Sequence, residues 1–308
     1  MTDRMIQNIR DALKKYVEDN GLKSLVLGVS GGIDSCLVAA LARPVCDELN
    51  IPLIGRSITI ESNKQDEIER ARLVGNAFCT DFKEVDLTTF YRAGRFDLCD
   101  VETYPWENFN DLETKIRLGN VKARIRMIRL YDIAQATHGM VLGTTNAVEY
   151  LTGYLTLGGD GCVDYEPIII LWKGQVYEMS VYLASQYANG KSYDAKAGAI
   201  IQCIVATPTD GNGISSSDIE QLGVDSYDEA DKILKIWLTE DEDAFAWDAC
   251  LKYPDRPETW EEFEICRDSF KDHPIVLRHE RTHFKRNHPI NINHHTLYEG
   301  VDVDTLFN

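Results

Sequence analysis

The residues best suited to chemistry stand at positions 30–35, where Ser30, Gly31, Gly32, Ile33, Asp34 and Ser35 follow the aliphatic run Leu25 to Val29. A helix-compatible stretch, CLVAALA, comes next. That order reads as a buried strand, a tight glycine turn and a helix start. Gly31 and Gly32 let the backbone bend sharply and come close to a ligand. The N–H groups of the turn and of the first helical turn converge on one spot, with the helix dipole behind them. Such a nest suits a phosphate group. Ser30 and Ser35 add hydroxyl donors, and Asp34 is placed to hold magnesium against the phosphates. The run is neither a Walker A loop nor a Gly-x-Gly-x-x-Gly turn.

Other reactive types gather further along. Residues 119–131, GNVKARIRMIRLY, put Lys122, Arg124, Arg126 and Arg129 into an otherwise acidic chain. On a helix Lys122, Arg126 and Arg129 share a face and Arg124 points elsewhere. This is either a solvated face or a set of guanidinium forks for phosphates. Residues 143–167, GTTNAVEYLTGYLTLGGDGCVDYEP, offer Thr144 at a strand end, Glu149 as a second carboxylate for magnesium, and Asp160 and Asp164 in a glycine-rich loop. Lys173 opens a helix, Pro208 to Gly211 form a turn around Thr209, and Lys285 and Arg286 are a late basic pair. His279 and His283 are spaced i, i+4, but no Glu-containing zinc motif accompanies them, so surface histidines are expected.

The elements that must position these groups follow from periodicity. Leu25–Val29, Pro52–Ile60, Phe82–Val85 and Met140–Gly143 read as strands, with Ile168–Leu171 as a weaker fifth. Helical patterns lie at Asp34–Leu49, Asp66–Cys79 and Lys115–Thr137, and an amphipathic helix at the start shows Met5, Ile9, Leu13 and Tyr16 on one face. The alternation predicts an α/β fold, a Rossmann-like parallel sheet with helices on both faces and right-handed crossovers. Ligands then sit beyond the carboxyl ends of the strands, where SGGIDS and GTTNAVE face one crevice. Residues 187–224, rich in Gly, Ser, Asp and Thr, read as a mobile loop region over the site. Residues 239–262 read as an acidic surface insertion and 291–308 as a tail, leaving 1–290 as one domain.

Bulk properties narrow the classes. With 308 residues, 44% of them hydrophobic, the chain can fill a large core. A net charge of −18 argues against a nucleic-acid partner, because a phosphate backbone would be repelled. No apolar run approaches the roughly 18 residues of a membrane span, and no signal peptide opens the sequence. Eight scattered cysteines without a C-x-x-C pair suggest buried thiols in a reducing, cytoplasmic setting.

SGGIDS by itself resembles the pyrophosphate loop of ATP pyrophosphatases. The order SGGIDS, GNVKARIRM, GTTNAVEYLTGY, GDG, EPI–LWKGQVYE, PTDG, LGVDSYDEAD and FKR is similar to ammonia-dependent NAD synthetases over about residues 5 to 290. The resemblance implies an adenine nucleotide alpha hydrolase-like fold. It also implies a ligase that adenylates the nicotinate carboxylate of deamido-NAD with ATP, releases pyrophosphate, and lets ammonia displace AMP to give NAD. Carried over, Ser30, Gly31, Gly32 and Ser35 hold the phosphates of ATP, and Asp34 and Glu149 hold Mg2+. Thr144, Lys173 and Thr209 contact ATP, while Arg124, Asp160, Asp164 and Lys285 serve deamido-NAD. Asp34, Asp160 and Lys173 carry the catalytic part. A homodimer is implied, and the segments Ile125–Tyr131 and Val148–Leu155 are available to it. SGGIDS at residue 30 leaves no space before it for the glutaminase domain of the glutamine-dependent members, so free ammonia, or ammonia from a separate partner, is expected.

This sequence departs from the family pattern at several points. Leu157 stands where many members carry lysine before the GDG loop, and Phe284 where many carry histidine. The adenine-side segment SITIESNKQDE lacks the usual arginine and Pro-Tyr-Gly turn, so adenine contacts stay unassigned. Two other readings stand beside the first: an adenylating ligase for another carboxylate on the same fold, and a catalytically silent dinucleotide sensor.

Overall fold

The computed structural model describes residues 2–61, 63–102, 111–189, 194–207, 214, 217–239 and 259–286. The segments 240–258 and 291–308, read as most of an insertion and as a tail, lie outside the described residues, as does Thr209.

Four parallel strands, β1 (Leu25–Gly28), β2 (Leu53–Thr59), β3 (Asp81–Asp86) and β4 (Met140–Leu142), form one sheet in the order β3-β2-β1-β4. In β1 the period-2 alternation of side chains decides which layer each residue joins. Leu25 and Leu27 enter the larger core with α1 (Thr2–Asp19), α2 (Ile33–Leu49), α3 (Gln65–Phe78), α7 (Lys173–Ala188) and α8 (Ala195–Ile204). Val26 faces the other way and packs on Ile133 and Ala134 of α5 (Leu112–Ala136). Both faces of the sheet are therefore covered, as the unbroken aliphatic run of β1 requires. Each fully buried aliphatic side chain contributes about 1.5–3 kcal/mol.

The register pairs Leu25 with both Leu53 and Met140, so β1, β2 and β4 start level, and β1 and β4 end within one residue of each other while β2 runs on to Thr59. The turns after β1 and β4 consequently open on the same edge. The first leads into α2, the second into the short α6 (Ala147–Leu151). Beyond the sheet, α9 (Asp218–Leu222), α10 (Tyr227–Leu238) and α12 (Pro274–Arg281) form a smaller cluster around Val148, Tyr227, Leu234 and Ile275. Helices α4 (Thr88–Leu98), α11 (Trp260–Ser269) and α13 (His283–Arg286) complete the described elements.

Two expectations are corrected. Ile168–Leu171 is a turn, closed by the Leu171 N–H on the Ile168 carbonyl. Its apolar residues are spaced for anchoring: Ile168 and Leu171 are buried while Ile170 is 79% exposed, which is not the alternation of a strand. Among the described residues, only an isolated parallel bridge, Leu142 to Tyr165, extends the sheet beyond β4. The stretch 187–224 is partly helical. Asp194 caps α8 by accepting the Lys196 and Ala197 N–H groups, and Ala199, Ile200 and Cys203 pack into the main core. The apolar run AGAIIQCI outweighs the polar residues on either side of it. In the segments offered for a dimer, Val148 and Ile125 are used internally, and Ile128 is exposed.

Candidate active site

The turn after β1 runs as its composition dictates. Gly31 adopts φ +85°, and a Cβ there would stand 2.3 Å from the Glu67 carbonyl oxygen of α3. Only glycine fits both the conformation and the space. Its carbonyl accepts Arg70 Nε at 3.1 Å. Gly32 is the N-cap of α2, and its carbonyl accepts the Ser35 hydroxyl at 3.1 Å. The Ser30 and Ser35 hydroxyls lie 3.0 Å apart, and Ser30 Oγ accepts the Gly32 N–H.

This turn forms one wall of a cleft of about 360 Å³. Asp34, Thr144, Glu149, Asp160, Lys173 and Lys285 also line it. At its centre Lys173 Nζ, almost fully buried, donates to Asp34 Oδ2 at 2.6 Å and lies 3.9 Å from Glu149 Oε1. Burial pulls the Lys173 ammonium towards its neutral form, but the charges of Asp34 and Glu149 outweigh this and hold its pKa above the ordinary value. Burial first, and the charge of Asp34 second, push the Glu149 carboxyl well above its usual range. Tyr227 covers the ammonium with its ring, 4.7 Å from Nζ. Asp231 of α10 fixes the start of α7 by accepting the Lys173 and Gly174 N–H groups at 3.2 and 2.9 Å.

A second lobe of about 250 Å³ opens beyond the ends of β1, β2 and β4 and shares Ser30, Thr144 and Asp160 with the first. Gly28, Val29, Ile58, Met127 and Leu130 make it largely apolar, and Arg126 borders it with its Nε on the Ile58 carbonyl at 3.0 Å. The sequence reading left this lobe unassigned. Its lining comes from strand ends, which carry no motif of their own, and from the face of α5 that presents Ala123, Arg126 and Met127 of GNVKARIRM.

The remaining residues singled out from the sequence fall into two groups. Asp160 stands in both lobes with Oδ1 on the Thr156 N–H at 2.9 Å, and burial raises its pKa. Lys285 borders the cleft, yet its ammonium donates to the Gly153 and Leu155 carbonyls at 2.8 and 2.6 Å. Arg278 and Arg286 serve the Thr152 and Leu151 carbonyls in the same way, so the basic C-terminal helices fasten the chain that leaves α6. Arg124 is exposed and reaches the Leu157 carbonyl at 3.1 Å, outside the cleft lining. Asp164 is likewise outside it: its carboxylate accepts the Val141 N–H and the Tyr131 hydroxyl at 2.8 and 3.0 Å. Lys122 is buried, 3.8 Å from Glu61. His279, expected at the surface, is instead buried, and its Nδ1 donates to the Leu151 carbonyl at 2.7 Å. No group of three or more metal-ligating His, Cys, Asp or Glu occurs among the described residues. Asp34 and Glu149 nevertheless suit magnesium, a hard cation that takes one or two carboxylates and completes its shell with phosphate and water.

A glycine nest at a strand end, two carboxylates and a buried lysine on a parallel sheet define an α/β protein with a site suited to the phosphates of a nucleotide. The NAD synthase family model matches residues 5–254, and the chain belongs to that family. It is 34% identical to the NH(3)-dependent NAD(+) synthetase of Methanococcoides burtonii, covering 74% of this chain and 76% of the relative. It is 33% identical to that of Thermococcus kodakarensis, covering 74% and 78%. Among solved structures, the NMN synthetase from Francisella tularensis superposes with a TM-score of 0.68 at 23% identity, covering 95% of this chain and 99% of that one. The NH3-dependent NAD synthetase from Campylobacter jejuni gives a TM-score of 0.60 at 20% identity, covering 95% and 99%. These two likenesses bear on the fold.

Proposed function

We propose that this chain is an ammonia-dependent NAD synthetase, making NAD, AMP and pyrophosphate from deamido-NAD, ATP and ammonia in the last step of NAD formation. The observation that carries this reading is the Asp34–Lys173–Glu149 cluster directly beside the phosphate nest, in a chain of the NAD synthase family.

The triphosphate of ATP lies on the N–H groups of the turn at Gly31–Ser35, with the Ser30 and Ser35 hydroxyls alongside, and the adenosine occupies the apolar lobe beyond β1 and β2. Thr144 stands between the two lobes, where the α-phosphate must sit. Asp34 and Glu149 are the residues that would hold magnesium, which when bound would neutralise phosphate charge. Lys173 already sits between these carboxylates and supplies a fixed cation for charge that develops as the bond to pyrophosphate breaks. A nicotinate oxygen attacks the α-phosphorus and pyrophosphate leaves. Ammonia then adds to the activated carbonyl carbon, AMP leaves with the bonding pair, and the surplus proton goes to a base. Asp160, open to both lobes, is positioned for that role or for ordering the nicotinate end. Positioning and charge neutralisation do most of the work. Thr209 and Lys285 complete the proposed set, Lys285 by shaping the loop at Gly153–Leu155.

We further assign residues 1–290 to one domain and the protein to the cytoplasm as a homodimer. In support, every described cysteine is a free thiol, and Phe90, Phe96, Leu112, Ile116 and Ile128 leave an apolar surface along α4 and α5.

The test is incubation with ATP, magnesium and an ammonium salt, with deamido-NAD or nicotinate mononucleotide as acceptor and glutamine as the alternative nitrogen donor. NAD formed from deamido-NAD with ammonium, and not with glutamine alone, is the expected result. Preference for the mononucleotide would move the substrate while keeping the chemistry. ATP binding without turnover on either would overturn the reading.

A further inference from the structure

Two carboxylates that share one cation are useful only if each turns the correct oxygen towards it. Asp34 comes from the first turn of α2 and Glu149 from α6, so nothing in their local sequence fixes their mutual orientation. Asn146 touches both. Its Nδ2 donates to Asp34 Oδ1 at 2.9 Å, a contact that spans 112 positions of the chain. Its own backbone N–H donates to Glu149 Oε2 at 3.1 Å, and its Oδ1 accepts the Glu149 N–H at 3.1 Å. One oxygen of each carboxylate is thereby committed to Asn146. The other two, Asp34 Oδ2 and Glu149 Oε1, are the ones that face Lys173 Nζ.

Asn146 is itself completely buried and does not line the cleft. Capping α6 needs only an acceptor, which serine or aspartate would supply equally well. The contact to Asp34 needs a donor from the same side chain, and aspartate has none. The amide is thus doing more than ending a helix.

We infer that Asn146 is a positioning residue for the metal–nucleotide complex: by binding Asp34 Oδ1 and Glu149 Oε2 it turns the remaining oxygens of both carboxylates to one point. The inference rests on the magnesium site of the proposed function and deepens it.

The test uses the full chain with Asn146→Ser, which keeps a cap acceptor and loses the reach to Asp34. Mn2+ binding to the enzyme–ATP complex is followed by electron paramagnetic resonance, without deamido-NAD, alongside thermal melting of the nucleotide-free protein. Loss of an outer-shell partner typically weakens a metal site about 10–100-fold. The expected result is a weakening of that size, a melting temperature near that of the parent, and unaltered ATP binding without metal. In an Asp34→Ala background, which has no acceptor for the Asn146 amide, the same substitution is expected to change Mn2+ binding no further, because the link to position 34 is already broken. Unchanged Mn2+ binding in Asn146→Ser, or full additivity in the double variant, would overturn the inference. Because the readout needs no turnover, it stands apart from NAD formation: a protein that makes no NAD but shows the coupled loss keeps this inference and loses the function.

Discussion

Gly31 and Gly32 are adjacent in one loop but are demanded by different physics, and an alanine at each separates the two demands. At Gly31 the backbone is left-handed, and the added Cβ would meet backbone atoms of α3: the Glu67 carbonyl oxygen at 2.3 Å and the Ala71 nitrogen at 3.0 Å. The conformation alone costs about 1–2 kcal/mol for a residue with a side chain. Pushing a helix aside to relieve an overpacked contact adds about 1–3 kcal/mol. Gly31→Ala is therefore expected to lose about 3 kcal/mol, a fall in melting temperature of roughly 6–12 °C for a chain of this size. At Gly32 φ is −84°, and the nearest atom to a new Cβ is Ser30 Oγ at 3.3 Å, the end of a side chain that can rotate. Gly32→Ala should melt at or slightly above the parent, since fewer unfolded conformations favour the folded state by about 0.4–1 kcal/mol. It should nonetheless bind ATP about 10–100-fold more weakly, because the methyl group stands where a phosphate meets the N–H groups, and one hydrogen bond to a charged group is worth about 1.5–3 kcal/mol. Melting curves without nucleotide and titration calorimetry with ATP and magnesium read both quantities. Equal losses of stability in the two variants, or parental ATP affinity in Gly32→Ala, would refute the assignment of fold to one glycine and ligand to the other.

Three further outcomes follow from the site's charges. Lys173→Met strands two carboxylates in a buried site and should cost about 3–5 kcal/mol. Without the ammonium, Glu149, already raised by burial, rises further, so the loss should grow as pH increases from 5 to 8 in urea melts. Asp34→Asn removes the nearer counter-charge of the buried Lys173 ammonium, so it should lower the melting temperature, and it should cut pyrophosphate release about a hundredfold or more, since a bound metal supplies several kcal/mol of charge stabilisation; full activity would remove Asp34 from the metal. Glu166, whose carboxylate accepts the Thr145 N–H, is pushed by burial from 4.5 up to about 7. A raised acid holds its proton in the folded state, so the parent loses stability as pH rises from 4.5 to 7. Glu166→Gln should abolish that slope and gain up to about 3 kcal/mol at pH 8, read by melting at both ends of the range.

Much of the framework could be read from local pattern. The aliphatic run of β1, the SGGIDS turn and the apolar face of α2 are contiguous, so strand, nest and helix were legible together. The pairing of Asp34 with Glu149 was legible through motif resemblance. What escaped the sequence is what depends on distant partners. The apolar lobe is assembled from the ends of β1 and β2, which carry no local mark, and from α5, whose GNVKARIRM motif marks a basic run rather than an apolar wall. Lys285 reads as a cation free for a substrate, and its attachment to the Gly153 and Leu155 carbonyls appears only when α13 lies on that loop. Asp164 sits in a glycine-rich acidic loop like Asp160, but one short step of chain sends it to the Val141 N–H instead of the cleft. Asn146 did leave a signal, the N-x-x-E spacing of a capping box before an apolar residue, which marks a helix start without disclosing that the amide also reaches Asp34.

Synthesis runs from the first residue to the last, and the fastening of the chain after α6 sets a clock on it. Glu149 leaves the ribosome well before Arg278, Lys285 and Arg286, at about 5–20 residues per second. Until those three arrive, the Leu151, Thr152, Gly153 and Leu155 carbonyls lack the donors that hold them in the finished fold. Each carbonyl left unmatched on burial costs about 1–3 kcal/mol, so the segment carrying Glu149 has no reason to settle early. A growing chain can complete β1 and its glycine turn while the side of the cleft that carries Glu149 is still unfastened. Completion of the cleft wall that carries Glu149 is thereby expected to wait until the polypeptide has been made at least as far as Arg286.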